Sequence, residues 1–116
     1  MNELRFVKEL NEKTVKIAIN GEIDIFNITD IREKLAELTS GYSVVEIDLK
    51  GLNFIDSTGL SMLIGLVRDL KGKNGNVVLI SPKSQVMKLL ETTGLNTVFE
   101  VRREDDWGAW ISVYWF

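Results

Sequence analysis

Three features predict an α/β fold, with a central sheet of about four to five mostly parallel strands, an N-terminal hairpin and amphipathic helices packed against it. Segments of period two and period 3.6 alternate after Gly41, which implies right-handed crossovers between parallel strands. Val77-Val78-Leu79-Ile80 is apolar on both faces, as a strand inside a sheet should be. The third feature is size and composition: 116 residues, 45% apolar and 27% charged, suit one globular domain that buries its own core.

The elements follow in order. Leu4 and Phe6, then Val15, Ile17 and Ile19, alternate on either side of Asn11-Glu12-Lys13, the pattern of a β-hairpin. Asn20-Gly21 is expected to break the second strand. Thr29 or Asp30 is expected to cap a helix whose apolar positions Ile31, Leu35 and Leu38 stop near Gly41. Val45, Ile47 and Leu49 alternate with Glu46 and Asp48, predicting a strand with one wetter face. Leu60, Leu63, Ile64, Val67 and Leu70 follow the i, i+3, i+4, i+7 pattern of a helix that ends before Gly72. After the Val77–Ile80 strand, Pro82 suits the first turn of a third helix. Val86, Leu89 and Leu90 form its buried stripe, and Gly94 is its C-terminal cap. Residues 98–101 are expected to form a short last strand. The domain is thus expected to span 1–101, followed by a tail over 102–116.

Composition removes several kinds of chemistry. The chain has no cysteine, so no disulfide, thiol nucleophile or thiolate metal site, and no histidine, so no serine–histidine–aspartate machinery. No P-loop pattern occurs. No catalytic residue, metal ligand set or cofactor is therefore predicted. Net charge is −3 with a pI near 5.0, which argues against direct nucleic-acid binding. The N-terminal residues do not resemble a signal peptide, and no apolar run reaches membrane-span length, so a cytoplasmic protein without a membrane role is expected.

Two short segments remain as candidate sites. Asp56-Ser57-Thr58-Gly59-Leu60-Ser61 opens the second predicted helix, where backbone N–H groups and the helix dipole favour negative charge. A phosphate on Ser57 would be tolerated there. The plain alternative is a helix cap, because aspartate, serine and threonine all cap well. Glycine in a first turn adds nothing to a cap, so Gly59 suggests that something approaches the backbone closely. Gly21-Glu22-Ile23-Asp24 is the second segment, and from those residues alone a turn with two solvated carboxylates is the simpler reading.

Together with Val44-Val45-Glu46-Ile47-Asp48-Leu49 and Val78-Leu79-Ile80-Ser81-Pro82, these two segments resemble the STAS family, and within it the bacterial anti-sigma factor antagonists. The resemblance runs from about Leu4 to about Val101. It implies that Ser57 is phosphorylated by an anti-sigma factor with serine kinase activity, that the unmodified form binds this kinase, and that a PP2C-type phosphatase restores the serine. It also implies a partner-facing surface made of Glu22, Asp24, Asp56, Ser57, Thr58, Gly59 and Ser61. STAS-like scaffolds of stress-sensing or transport assemblies, without such a switch, are the alternative. Two further rivals are weaker: intrinsic catalysis by Ser57, which lacks a neighbouring base, and nucleotide binding by its loop.

The tail lies outside the family pattern. Glu104-Asp105-Asp106 precedes Trp107, Trp110, Tyr114, Trp115 and Phe116. Aromatics at this density call for cover, either from the domain itself or from self-association, a partner or a membrane surface.

Overall fold

The computed structural model describes residues 3–104 and 112–115, with side chains from Leu10 to Glu104. β1 (Glu3–Asn11) and β2 (Thr14–Ile23) form the antiparallel hairpin, closed where Lys13 N donates to Asn11 Oδ1 at 2.8 Å. α1 (Ile28–Thr39), β3 (Val44–Asp48), β4 (Leu52–Ile55), α2 (Ser57–Lys71), β5 (Asn76–Ile80), α3 (Ser84–Thr93) and β6 (Glu100–Arg102) follow, with a 3-10 turn at Leu95–Thr97. β7 (Ser112–Trp115) returns to pair antiparallel with β1. The sheet order is β6-β5-β3-β2-β1-β7, with β4 beside the far end of β2. β2 to β3, β3 to β5 and β5 to β6 are parallel neighbours. The predicted fold class holds, and the sheet is larger than four to five strands.

The moves β2→β3, β3→β5 and β5→β6 all step in one direction across the sheet. With right-handed crossovers, that puts the three helices on one face. Val15, Ile17, Ile19, Val45, Ile47, Val77 and Leu79 point into that layer and meet Ile31, Leu35, Leu63, Val67, Val86 and Leu90. The helical stripes are therefore those the periodicity predicts, with Leu89 only partly buried beside them. Gly94 closes α3 in the left-handed conformation, φ 76°, as expected of a C-terminal cap.

Several local expectations change. β2 does not break at Asn20-Gly21. Gly21 takes a positive φ of 96°, and the register shifts between Gly21 and Glu22. The strand bends there and passes from β3 to β4 as its parallel neighbour. α1 begins earlier than Thr29 or Asp30, after Asn27, and α3 begins at Ser84, so Pro82 precedes the helix instead of opening it. β4 was not foreseen as a separate strand.

The wetter face of β3 is in fact covered. Glu46 is buried, and Asp48 is only 1% exposed. Asp48 Oδ1 accepts from Lys50 N at 2.9 Å, while its Oδ2 stands 2.9 Å from Lys50 Nζ without hydrogen-bond alignment. Lys16 Nζ pairs with Glu104 Oε1 at 2.9 Å, and Lys50 Nζ donates to the Glu104 carbonyl at 3.1 Å. Ser81, at a positive φ of 48°, exchanges hydrogen bonds with Glu104 through its hydroxyl. Charges buried on this face are tolerated because each finds an opposite charge or a backbone partner. Of the aromatic tail, 112–115 extends the sheet through its backbone, whereas Trp107, Trp110 and Phe116 lie outside the described residues.

Two glycines of α2 should respond to alanine in opposite ways. A Cβ on Gly59 would stand 2.6 Å from Ile55 Cγ1 and 2.7 Å from Ile23 Cγ2, both buried side chains. On Gly65 it would meet nothing within 4 Å. Gly59→Ala should destabilise the domain by about 1–3 kcal/mol through overpacking. Gly65→Ala should stabilise it by about 0.5–1 kcal/mol through helix propensity. Urea unfolding of the two variants checks both signs.

Candidate functional site

β2 and β4 run parallel and end level, Ile23 opposite Ile55, with Asp56 N donating to the Ile23 carbonyl at 3.1 Å. Asp24 and Asp56 therefore leave the sheet side by side, at the carboxyl ends of neighbouring strands, where open α/β sheets place their sites.

Asp56 is the residue that caps α2. Its Oδ1 accepts from Thr58 N at 2.9 Å, from Gly59 N at 3.1 Å and from the Thr58 hydroxyl at 2.5 Å. Its Oδ2 reaches the other segment and accepts from Ile25 N at 3.0 Å. The Thr58 hydroxyl bond is the largest influence on the Asp56 carboxyl; desolvation opposes it, and the backbone N–H groups of Gly59, Thr58 and Ile25 join the hydroxyl in holding the group below its ordinary value.

Asp24 does not pair with Asp56. Its Oδ1 accepts from Phe26 N at 2.9 Å and Asn27 N at 3.2 Å. Asn27 answers by accepting from Asp24 N at 2.9 Å and donating to the Glu22 carbonyl at 2.9 Å. With Ile28 N bonded to the Asp24 carbonyl at 3.0 Å, residues 24–27 form a reciprocal capping turn ahead of α1. Buried Asn27 was missed from the sequence, although the Asp-x-x-Asn spacing is its signal.

The remaining predicted residues divide by exposure. Ser57 is exposed at the first position of α2, and Ser61 is exposed one turn later on the same side. Ser61 also lines an open cleft of about 500 Å³ between α1 and α2, with Arg32, Tyr42, Met62 and Leu66. Glu22 is exposed on β2 beside Phe54 of β4. Gly59 is buried, and what approaches it closely is the domain's own Ile23 and Ile55. The first-turn N–H groups of Thr58 and Gly59 are taken by Asp56, so they are not available to a phosphate as the sequence suggested. Close to Asp24 and Asp56 in sequence, three exposed apolar residues went unpredicted: Ile25, Phe26 and Phe54.

A single curled, mixed sheet with helices on one face and a capped serine loop at its strand ends defines a small single-domain α/β protein. Residues 5–106 match the STAS domain model, and the chain belongs to the STAS family. It is 30% identical over 99 residues to an anti-sigma-B factor antagonist of Bacillus subtilis, covering 85% of this chain and 91% of that protein. It is 31% identical over 88 residues to an anti-sigma F factor antagonist of Lysinibacillus sphaericus, covering 74% and 75% respectively. Among solved structures, the fold matches the anti-sigma factor antagonist SpoIIAA in its unphosphorylated form, with a TM-score of 0.75 at 23% identity over 89% of each chain. It also matches SpoIIAA in the phosphorylated form, with a TM-score of 0.69 at 23% identity over 89% of this chain and 92% of that one. Among the described residues no helix is long and apolar enough to cross a membrane.

The lowered pKa of Asp56 has a stability consequence of known sign. A carboxylate held low by folding stabilises the domain above its unfolded pKa, and that contribution is lost as pH falls through the folded value. Asp56→Ala should lower Tm at neutral pH through loss of the cap. The gap to wild type should narrow as pH drops below the ordinary carboxylate range, where the part carried by ionisation is lost. Thermal melts of both proteins between neutral and acid pH read this out.

Proposed function

We propose that this chain is an anti-sigma factor antagonist, a regulator acted on by its partners rather than a catalyst, and that Ser57 is its phosphorylation switch. Unmodified, it binds an anti-sigma factor with serine kinase activity in the cytoplasm and frees a sigma factor. Phosphorylated on Ser57, it lets go, and a PP2C-type phosphatase resets it. The relatives named for sigma-factor antagonism support the role.

One observation carries the choice of residue: Ser57 is exposed beside a carboxylate that holds the next hydroxyl, on Thr58, as a hydrogen-bond donor. A kinase reaching this loop finds one hydroxyl presented outward and one engaged in the cap. Phosphorylation adds about −1.5 to −2 charges next to ionised Asp56. The free domain tolerates this, since Ser57 faces water. A docked partner must desolvate the new charge, and an unpaired charge at an interface weakens binding by about 2–5 kcal/mol, roughly 30- to several-thousand-fold. Glu22, Asp24, Asp56, Thr58 and Ser61 surround the serine within the proposed contact surface, with Gly59 beneath it.

The test pairs Ser57→Ala and Ser57→Asp proteins as baits in lysate of the source bacterium, followed by titration of the purified partner. The alanine form should hold a kinase-like anti-sigma factor and accept no phosphate. The aspartate form should bind it at least about 30-fold more weakly. Equal affinity for the two forms refutes the switch, and a transporter or large assembly on both baits points to a scaffold instead.

A further inference from the structure

The surface next to Ser57 is not the polar one its acidic residues suggest. Phe26 is 93% exposed, Ile25 66% and Phe54 50%. Single exposed apolar side chains are ordinary, but these three stand within three residues of Asp24 or Asp56. Phe54 lies near the end of β4, and Ile25 and Phe26 lie in the turn after β2. The sheet registers those two strand ends side by side, Glu22 opposite Phe54 and Ile23 opposite Ile55. The segment carrying Ile25 and Phe26 is tied down at every polar group described above. Ile25 N is held by Asp56, Phe26 N by the Asp24 carboxylate, and Asn27 N by Asp24. A loop so ordered presents its phenylalanine outward in a fixed place.

Asp24 and Asp56 both bond within the domain. Asp24 Oδ1 is spent on the backbone of the two residues that follow, and Asp56 uses both oxygens within the domain. We propose that Ile25, Phe26 and Phe54 form an apolar docking patch for the anti-sigma factor, and that Asp24 is a positioning residue that holds Phe26. This rests on the function proposed above. The occupant follows from continuity: the Asp56–Ile25 bond joins the patch to the switch loop, so a partner sensitive to charge on Ser57 covers both. The partner should offer an apolar cleft beside the site that receives Ser57, since aromatic side chains anchor interfaces by filling such pockets.

The role of Asp24 separates cleanly from that of a charged contact. Asparagine keeps the oxygen that accepts from Phe26 N and suits the same turn, but it carries no charge. The experiment titrates the purified anti-sigma factor recovered with the Ser57→Ala bait against wild type, Phe26→Ala, Phe54→Ala, Asp24→Asn, Asp24→Ala and the Asp24→Ala/Phe26→Ala double variant. Phe26→Ala and Phe54→Ala should each weaken binding about tenfold or more. Phe26→Ala should leave Tm unchanged because Phe26 is 93% exposed, whereas Phe54→Ala should lower Tm slightly, since Phe54 in β4 is only 50% exposed. Asp24→Asn should bind like wild type, and Asp24→Ala should weaken binding but add nothing once Phe26 is gone. Wild-type affinity in Phe26→Ala overturns the patch. A loss in Asp24→Asn equal to that in Asp24→Ala overturns the positioning role. Self-association of wild type in sedimentation that Phe26→Ala abolishes would reassign the patch to a second copy of the chain. Failure of wild type itself to bind an anti-sigma factor refutes the proposed function, and this inference with it.

Discussion

The site depends on one carboxylate used twice. Asp56 Oδ1 closes the first turn of α2, and Asp56 Oδ2 fixes Ile25 in the loop that leads to α1. Two helices that start from different strands are thereby referenced to one group. This works only because β2 and β4 end level and because the first turn of α2 can sit down on Ile23 and Ile55, which the missing Cβ of Gly59 permits. Backbone donors directed at an ionised carboxylate make strong hydrogen bonds, so the arrangement is rigid before any partner arrives. The switch proposed at Ser57 would need no refolding, because a charge added at that exposed position would change the surface and leave the platform in place.

The sheet beneath keeps that corner open. All three crossovers move the chain the same way, so the helices share one face, and among the described residues Ile25, Phe26 and Ser57 stay exposed just beyond the carboxyl ends of β2 and β4. On the opposite face, Lys16, Asp48, Lys50, Ser81 and Glu104 interlock across strands far apart in sequence. Ion pairs with so little solvent contribute modestly to net stability, but breaking one partner leaves an uncompensated charge. Such a layer penalises any slip in strand register. Register matters here because a one-residue shift between β2 and β4 would separate Asp24 from Asp56.

Much of this was legible in the sequence, and the rest was hidden for identifiable reasons. The stripe of α2 and the Gly94 cap are local signals and were read correctly, as was the doubly apolar β5. The capping carboxylate was one of three candidates, and only the geometry of the turn separates Asp56 from Ser57 and Thr58. β4 is four residues long, Leu52–Ile55, too short for alternation to declare it. Gly21 looks like a stop signal, and only the presence of β4 as a second neighbour turns it into a bend. The burial of Glu46 and Asp48 depends in part on Arg102, more than fifty residues away, and on Lys50 folding back over the sheet. Ile25, Phe26 and Phe54 could not be called exposed from composition, since phenylalanine and isoleucine usually mark core. Gly59 was correctly singled out as unusual, and its close neighbour proved to be the domain's own core.

In the order Asp-Ser-Thr-Gly each residue has its own place in the turn, and the places do not permute. Asp56 must precede the helix for its oxygen to reach the N–H groups of Thr58 and Gly59. Thr58 adds its hydroxyl to the same oxygen. A phosphate there would replace a donor with a dianion against the capping carboxylate and dismantle the turn. Gly59 lies over Ile23 and Ile55, where any side chain collides. Only the position of Ser57 faces solvent with nothing in the turn depending on its hydroxyl among the described residues. On the function proposed above, a phosphate at that single position would leave the cap, the packing and the Ile25 contact in place, and its effect would fall on whatever docks from outside.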